Sequence, residues 1–125
     1  EKALTRYDCE VDLRYELSEN QFYLGHDINQ YPININWLIK NKNKLWIHCK
    51  DFYALNYLPN NQIDLNFFWH HSDDYTITSQ GYIWTYPEKL TGDKSVIVDL
   101  ELNYKSYKEN PVYGVCSDFI SKLDK

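Results

Sequence analysis

The sequence predicts an α+β fold built mainly on antiparallel β-sheet, with roughly six to eight strands, a short internal helix and a short C-terminal helix. Three observations lead there. Twelve Tyr, four Trp and five Phe stand against only four Gly in 125 residues, and aromatic side chains suit a pleated, half-buried surface. Hydrophobic alternation of period two recurs in short segments along the chain. The connections between those segments are short, which favours antiparallel neighbours.

Residues 9–17 alternate most cleanly. Cys9, Val11, Leu13, Tyr15 and Leu17 share one face, and Glu10, Asp12, Arg14 and Glu16 the other, so a half-buried strand with a charged solvent face is expected. A second strand is expected over 21–28, after the turn at 18–20. Pro32 breaks the chain, and Asn34 or Asn36 can cap a short helix through 37–44, with Lys40, Lys42 and Lys44 near its negative dipole end. Residues 45–50 and 52–58 read as strand, followed by a turn at Pro59, Asn60 and Asn61. The stretch 63–70 alternates again, placing Ile63, Leu65, Phe67 and Trp69 toward the core and Phe68 and His70 outward.

Residues 74–78 and 82–86 flank Ser79, Gln80 and Gly81 as a hairpin or a bulged strand pair. Over 95–102, Val96, Val98, Leu100 and Leu102 are expected inward, with Asp99 and Glu101 outward. A short strand follows Pro111, and Ser117 can cap a helix over 118–125. No linker or shift of composition divides the chain, so residues 1–125 are expected to form one globular domain.

Charge and cysteine usage exclude several classes. A net charge of −5 lacks the basic footprint of a duplex nucleic-acid binder. Cys9, Cys49 and Cys116 are widely spaced and odd in number, which excludes a zinc ribbon or thioredoxin-like motif and points to reduced thiols in a cytoplasmic setting. Cys116 precedes an expected helix start and is read as a packed small residue rather than a nucleophile. No apolar run reaches membrane-spanning length. Phosphate-loop, dinucleotide, nucleophile-elbow, zincin and EF-hand signatures are all missing. Tyr104, Lys105, Tyr107 and Lys108 interleave base and aromatic, a pattern suited to a small phosphorylated ligand.

The densest stretch is 67–87, "FFWHHSDDYTITSQGYIWTYP". The expected function is aromatic-centred binding of a protein partner by a small acidic protein, an immunity-protein or inhibitor-like role without catalysis or cofactor. Phe68, Trp69, His70, His71, Asp73, Asp74, Tyr82, Trp84 and Tyr86 are the candidate binding residues. A second reading is a metal-dependent hydrolase acting on a phosphate ester. His48, His70, His71 and Asp73 would hold a divalent ion, with His26 as a further ligand and Asp73 or Asp74 as general base. Adjacent histidines on a strand point to opposite faces, which weakens the pairing of His70 with His71. A third reading is a sugar- or nucleotide-binding module that stacks its ligand on Trp69, Tyr82 or Trp84. His26, His48 and His70 are also evenly spaced, each opening His-x-x-(Asn/Asp)-x-Tyr-x-(Ile/Leu). So few positions match that the spacing reads as coincidence.

Overall fold

The computed structural model describes residues 7–100 and 112–117. The chain gathers into two compact units, residues 1–70 and 71–125, and each is described by itself.

The first unit is a five-stranded sheet under two helices. Its strands are β1 (Cys9–Glu16), β2 (Gln21–Leu24), β3 (Tyr31–Ile33), β4 (Leu45–Cys49) and β5 (Phe67–Phe68), in the order β3-β2-β1-β4-β5. A 3₁₀ turn at Leu17–Glu19 ends on Asn20 in the left-handed conformation, which folds β2 back antiparallel on β1. β3 pairs antiparallel with β2 and carries Pro32, which the sequence reading had placed at a break. At a sheet edge the missing proline N–H is tolerated. Asn34 caps helix α1 (Ile35–Lys40), its side chain accepting from the Asn36 N–H at 2.7 Å.

Residues 52–58 depart from the expected strand. They form helix α2 (Phe52–Asn60), whose N-cap, Asp51, accepts from the Ala54 N–H at 2.8 Å. Ala54 and Leu58, four apart and fully buried, define its inner stripe, while Phe52 and Tyr53 face solvent. Aromatic residues that read as strand formers are here the outer face of a helix. Pro59 and Asn60 lie in the last helical turn, so the reversal comes later, at Asn61 and at Gln62 with φ 52°.

That helix changes the topology. A strand–helix–strand crossover returns the chain parallel, and β5 accordingly lies parallel to β4, as β4 does to β1. The sheet is therefore mixed, and the mainly antiparallel expectation is corrected. α2 packs across β1 and β4, burying Leu13, Leu45, Ile47 and Cys49 with Ala54, Leu58, Leu65 and Leu38. The rings of Tyr15, Phe22 and Tyr57 meet pairwise at 4.5–5.1 Å beside that core.

Asp51 also ties helix to sheet. Its second carboxylate oxygen accepts from the Tyr15 N–H at 3.2 Å, so one side chain caps α2 and holds the end of β1. Asp51→Ala is expected to lower stability by about 1–3 kcal/mol, read from the urea midpoint.

The second unit is a four-stranded sheet of β6 (Tyr75–Ile77), β7 (Ile83–Thr85), β8 (Ser95–Val98) and β9 (Gly114–Cys116), in chain order. β6 and β7 form the expected hairpin, closed by Gly81 at φ 88° and by Thr78, whose hydroxyl accepts from the Tyr82 N–H at 3.2 Å. β7–β8 and β8–β9 are parallel, so this sheet is mixed too. Trp84, Thr85, Ser95, Val96 and Ile97 are buried. Asp99, expected outward, is 2 % exposed, whereas Leu100, expected inward, is 48 % exposed. The nine described strands exceed the expected number. The expected C-terminal helix, Glu101, Leu102 and the residues 104–108 fall outside the described residues. No helix among the described residues is long and apolar enough to cross a membrane.

Candidate metal centre

Alternation along β1 and β4 assigns the two faces of the first sheet. Val11, Leu13, Ile47 and Cys49 point into the helix-covered core; Glu10, Asp12 and His48 point to the other side. In the parallel register Asp12 lies directly opposite His48, and Glu10 opposite Trp46. The acidic face of β1 is thus not simply a solvent face. Asp12 is 8 % exposed, and the side chains of Glu10 and His48 are largely covered.

Three ligand-type atoms converge there. Glu10, Asp12 and His48 each offer one, all within 4.8 Å of one another. His48 Nδ1 is 3.5 Å from Glu10 Oε2 and 3.5 Å from Asp12 Oδ1. The other ring nitrogen, Nε2, lies 3.1 Å from the His70 carbonyl oxygen. A carbonyl only accepts, so Nε2 donates to it, and Nδ1 is the ring nitrogen turned toward the two carboxylates. The three side chains form a group that could hold a cation between them. Both N···O separations are 3.5 Å, longer than a charge-assisted hydrogen bond.

Burial raises the Glu10 carboxyl above the ordinary range, and the adjacent Asp12 adds to this while His48 opposes it. Such a group binds protons more readily folded than unfolded. In metal-free protein its contribution to stability should therefore grow as pH falls from the raised value toward about 4.3, and fade as pH rises through it. Chemical denaturation of wild type and Glu10→Gln across pH 4–7 reads this directly; the slope attributable to Glu10 should vanish in the variant.

Neighbouring groups hold the cluster in place. The Phe68 ring stacks on His48, with centroids 5.0 Å apart and planes 19° from parallel. The His70 ring lies edge-on at 6.5 Å. His26 Nδ1 meets Asp12 Oδ2 at 2.8 Å. Asn66, on the same sheet face by alternation, has a buried side-chain oxygen with no hydrogen-bond partner. His48 lies near the carboxyl end of β4, and His70 follows β5.

Among the predicted site residues, His48 belongs to the cluster, and His70 joins through its carbonyl oxygen rather than its ring. His71, Asp73, Asp74, Tyr82, Trp84 and Tyr86 belong to the second unit. There Asp74 pairs with Lys89 at 3.5 Å. Phe68, expected outward, is 2 % exposed, and Trp84 is 4 % exposed. Trp69, expected in the core, is 44 % exposed. Tyr82 packs on Tyr113 at 4.5 Å with Lys94 over its ring. An open cavity of about 480 Å³ in this unit is lined by Tyr75, Ile77, Ile83 and Leu90 among others, and carries neither Trp84 nor Tyr82. Burial pushes the Cys49 thiol up to about 12, so no thiolate nucleophile arises there.

Glu10 and Asp12 are the members of the cluster that sequence reading missed. The available signal was the pair of carboxylates two apart on one strand face, at a strand that becomes central. No family model, curated protein or solved structure matches this chain.

Proposed function

We propose that this chain is a metal-dependent hydrolase of phosphate esters, holding a divalent transition metal between Glu10, Asp12 and His48. One observation carries the reading: the Nδ1 of His48, its other nitrogen committed to the His70 carbonyl, faces two carboxylate oxygens at 3.5 Å each. One imidazole nitrogen with two carboxylate oxygens suits Zn²⁺ or Mn²⁺ better than Ca²⁺ or Mg²⁺. Three protein ligands would leave a position for water, whose acidity the ion raises, and the same charge would polarise a phosphoryl oxygen. Phe68 keeps the His48 ring in its plane, and the His70 carbonyl fixes its tautomer.

The partner-binding reading retains Trp69, which is exposed, as are Phe52 and Tyr53 at the start of α2. It is the weaker of the two, because two of its anchors, Phe68 and Trp84, are buried.

The test is hydrolysis of 4-nitrophenyl phosphate by protein stripped with chelator and then given Zn²⁺ or Mn²⁺. Turnover should appear only with metal and be lost in Asp12→Asn. Metal-independent turnover, or none with either ion, would count against the proposal.

A further inference from the structure

The turn between β2 and β3 is fastened to β1 at the metal cluster. The Gly25 N–H donates to the Asp12 carbonyl at 3.0 Å. Arg14 donates from Nη2 to the His26 carbonyl at 2.6 Å and from Nε to the Gly25 carbonyl at 3.4 Å. Gly25 itself sits at φ 131°, a conformation that side chains resist, and a Cβ there would run into the Gln30 side chain. These bonds fix the backbone of residues 25 and 26. The His26 ring is 89 % exposed, yet its Nδ1 reaches the nearly buried Asp12 at Oδ2.

Asp12 thus has two oxygens with different neighbours. Oδ2 accepts from His26 at 2.8 Å, while Oδ1 is the oxygen 3.5 Å from His48 Nδ1. A carboxylate oxygen held by an outer donor is a poor second ligand atom. Ca²⁺ takes carboxylates bidentately within six to eight oxygens, whereas Zn²⁺ is content with one oxygen from each. Outer-shell donors that orient a ligand typically change metal affinity by about 10–100-fold.

We infer that His26 is a specificity-determining positioning residue: by occupying Asp12 Oδ2 it restricts Asp12 to one-oxygen coordination and biases the centre toward Zn²⁺ over Ca²⁺. This rests on the proposed metal centre. His26 touches the ligand, not the ion, and its effect is on which ion binds.

The experiment is calorimetric titration of chelator-stripped wild type, His26→Ala and His26→Gln with Zn²⁺ alone and Ca²⁺ alone. His26→Ala should lower the Zn²⁺/Ca²⁺ affinity ratio by about 10–100-fold. His26→Gln, which keeps an N–H donor on the same turn, should recover a large part of the ratio. An unchanged ratio in His26→Ala overturns the inference while leaving the metal centre standing. Equal loss in both variants also overturns it, because the effect would then belong to the imidazole and not to the hydrogen bond. A wild type that binds neither ion overturns both the inference and the metal centre.

Discussion

Replacing Ile47 by Ala should cost the protein about 2–5 kcal/mol of stability. Ile47 is fully buried at the middle of β4, the strand flanked on both sides by parallel partners. Its register neighbours are Val11 on β1 and Phe67 on β5, and its N–H donates to the Asn66 carbonyl at 2.8 Å. The helix above it, α2, is held at its N-terminus by Asp51 and inserts Ala54 and Leu58 into the same core. With strand pairing on two sides and a capped helix on the third, the walls have little room to collapse, so most of the void should persist. Ile47→Val, which removes one methyl group, should cost only about 0.5–1.5 kcal/mol. Urea unfolding followed by tryptophan fluorescence measures both. A loss under about 1 kcal/mol for the Ala variant would contradict the described packing.

Asp12→Asn should behave in the opposite way, leaving the metal-free fold nearly intact and removing metal binding. Asn keeps the size of Asp and an oxygen to accept from His26, but gives up the negative charge that crowds Glu10. Stability without metal should stay within about 1 kcal/mol of wild type, as expected where function rather than stability set the local choice. With metal the two proteins should separate. At an ion concentration of 100 Kd, wild type should gain about 2.7 kcal/mol from mass action, and the variant should gain almost nothing at that concentration. Thermal melts with and without Zn²⁺ show this as a rise in Tm for wild type alone. Equal rises in both would place the ion elsewhere.

What the sequence made legible follows from where local pattern and tertiary context agree. The alternation over 9–17 gave β1 and put Val11 and Leu13 toward the core, but β1 ends at Glu16, Leu17 is exposed in the following turn, and Asp12 on the charged face is buried. The 79–81 turn gave the β6–β7 hairpin for a similar local reason. The segment 52–58 went astray because Phe, Tyr and Leu favour strands by propensity, while the Asp51 cap and the Ala54–Leu58 spacing favour a helix. That helix makes β5 parallel to β4, while β4 is already parallel to β1 through the longer crossover over β2, β3 and α1.

The site was half legible. His48 was singled out, and the convergence of His48 with Phe68 and His70 is present in the first unit. Even spacing of His26, His48 and His70 does bring them near one cluster, although they arrive on a turn, a strand and a strand exit rather than on equivalent repeats. Glu10 and Asp12 were hidden by a sound rule, that charged residues on an alternating strand face water. The rule fails for Asp12 because β1 is the middle strand of its sheet, a fact of strand order that no local window contains. The orientation of Trp69 was hidden for another reason: β5 ends at Phe68, so the parity of 63–68 no longer governs residue 69.

The central claim is that a divalent ion sits between Glu10, Asp12 and His48. Anomalous diffraction at the zinc edge, from crystals grown with Zn²⁺, tests it most directly. The account predicts one peak about 2.0–2.2 Å from His48 Nδ1, with carboxylate oxygens of Glu10 and Asp12 at similar distance. No peak among these three side chains, or a single peak at His71 and Asp73 instead, would contradict it.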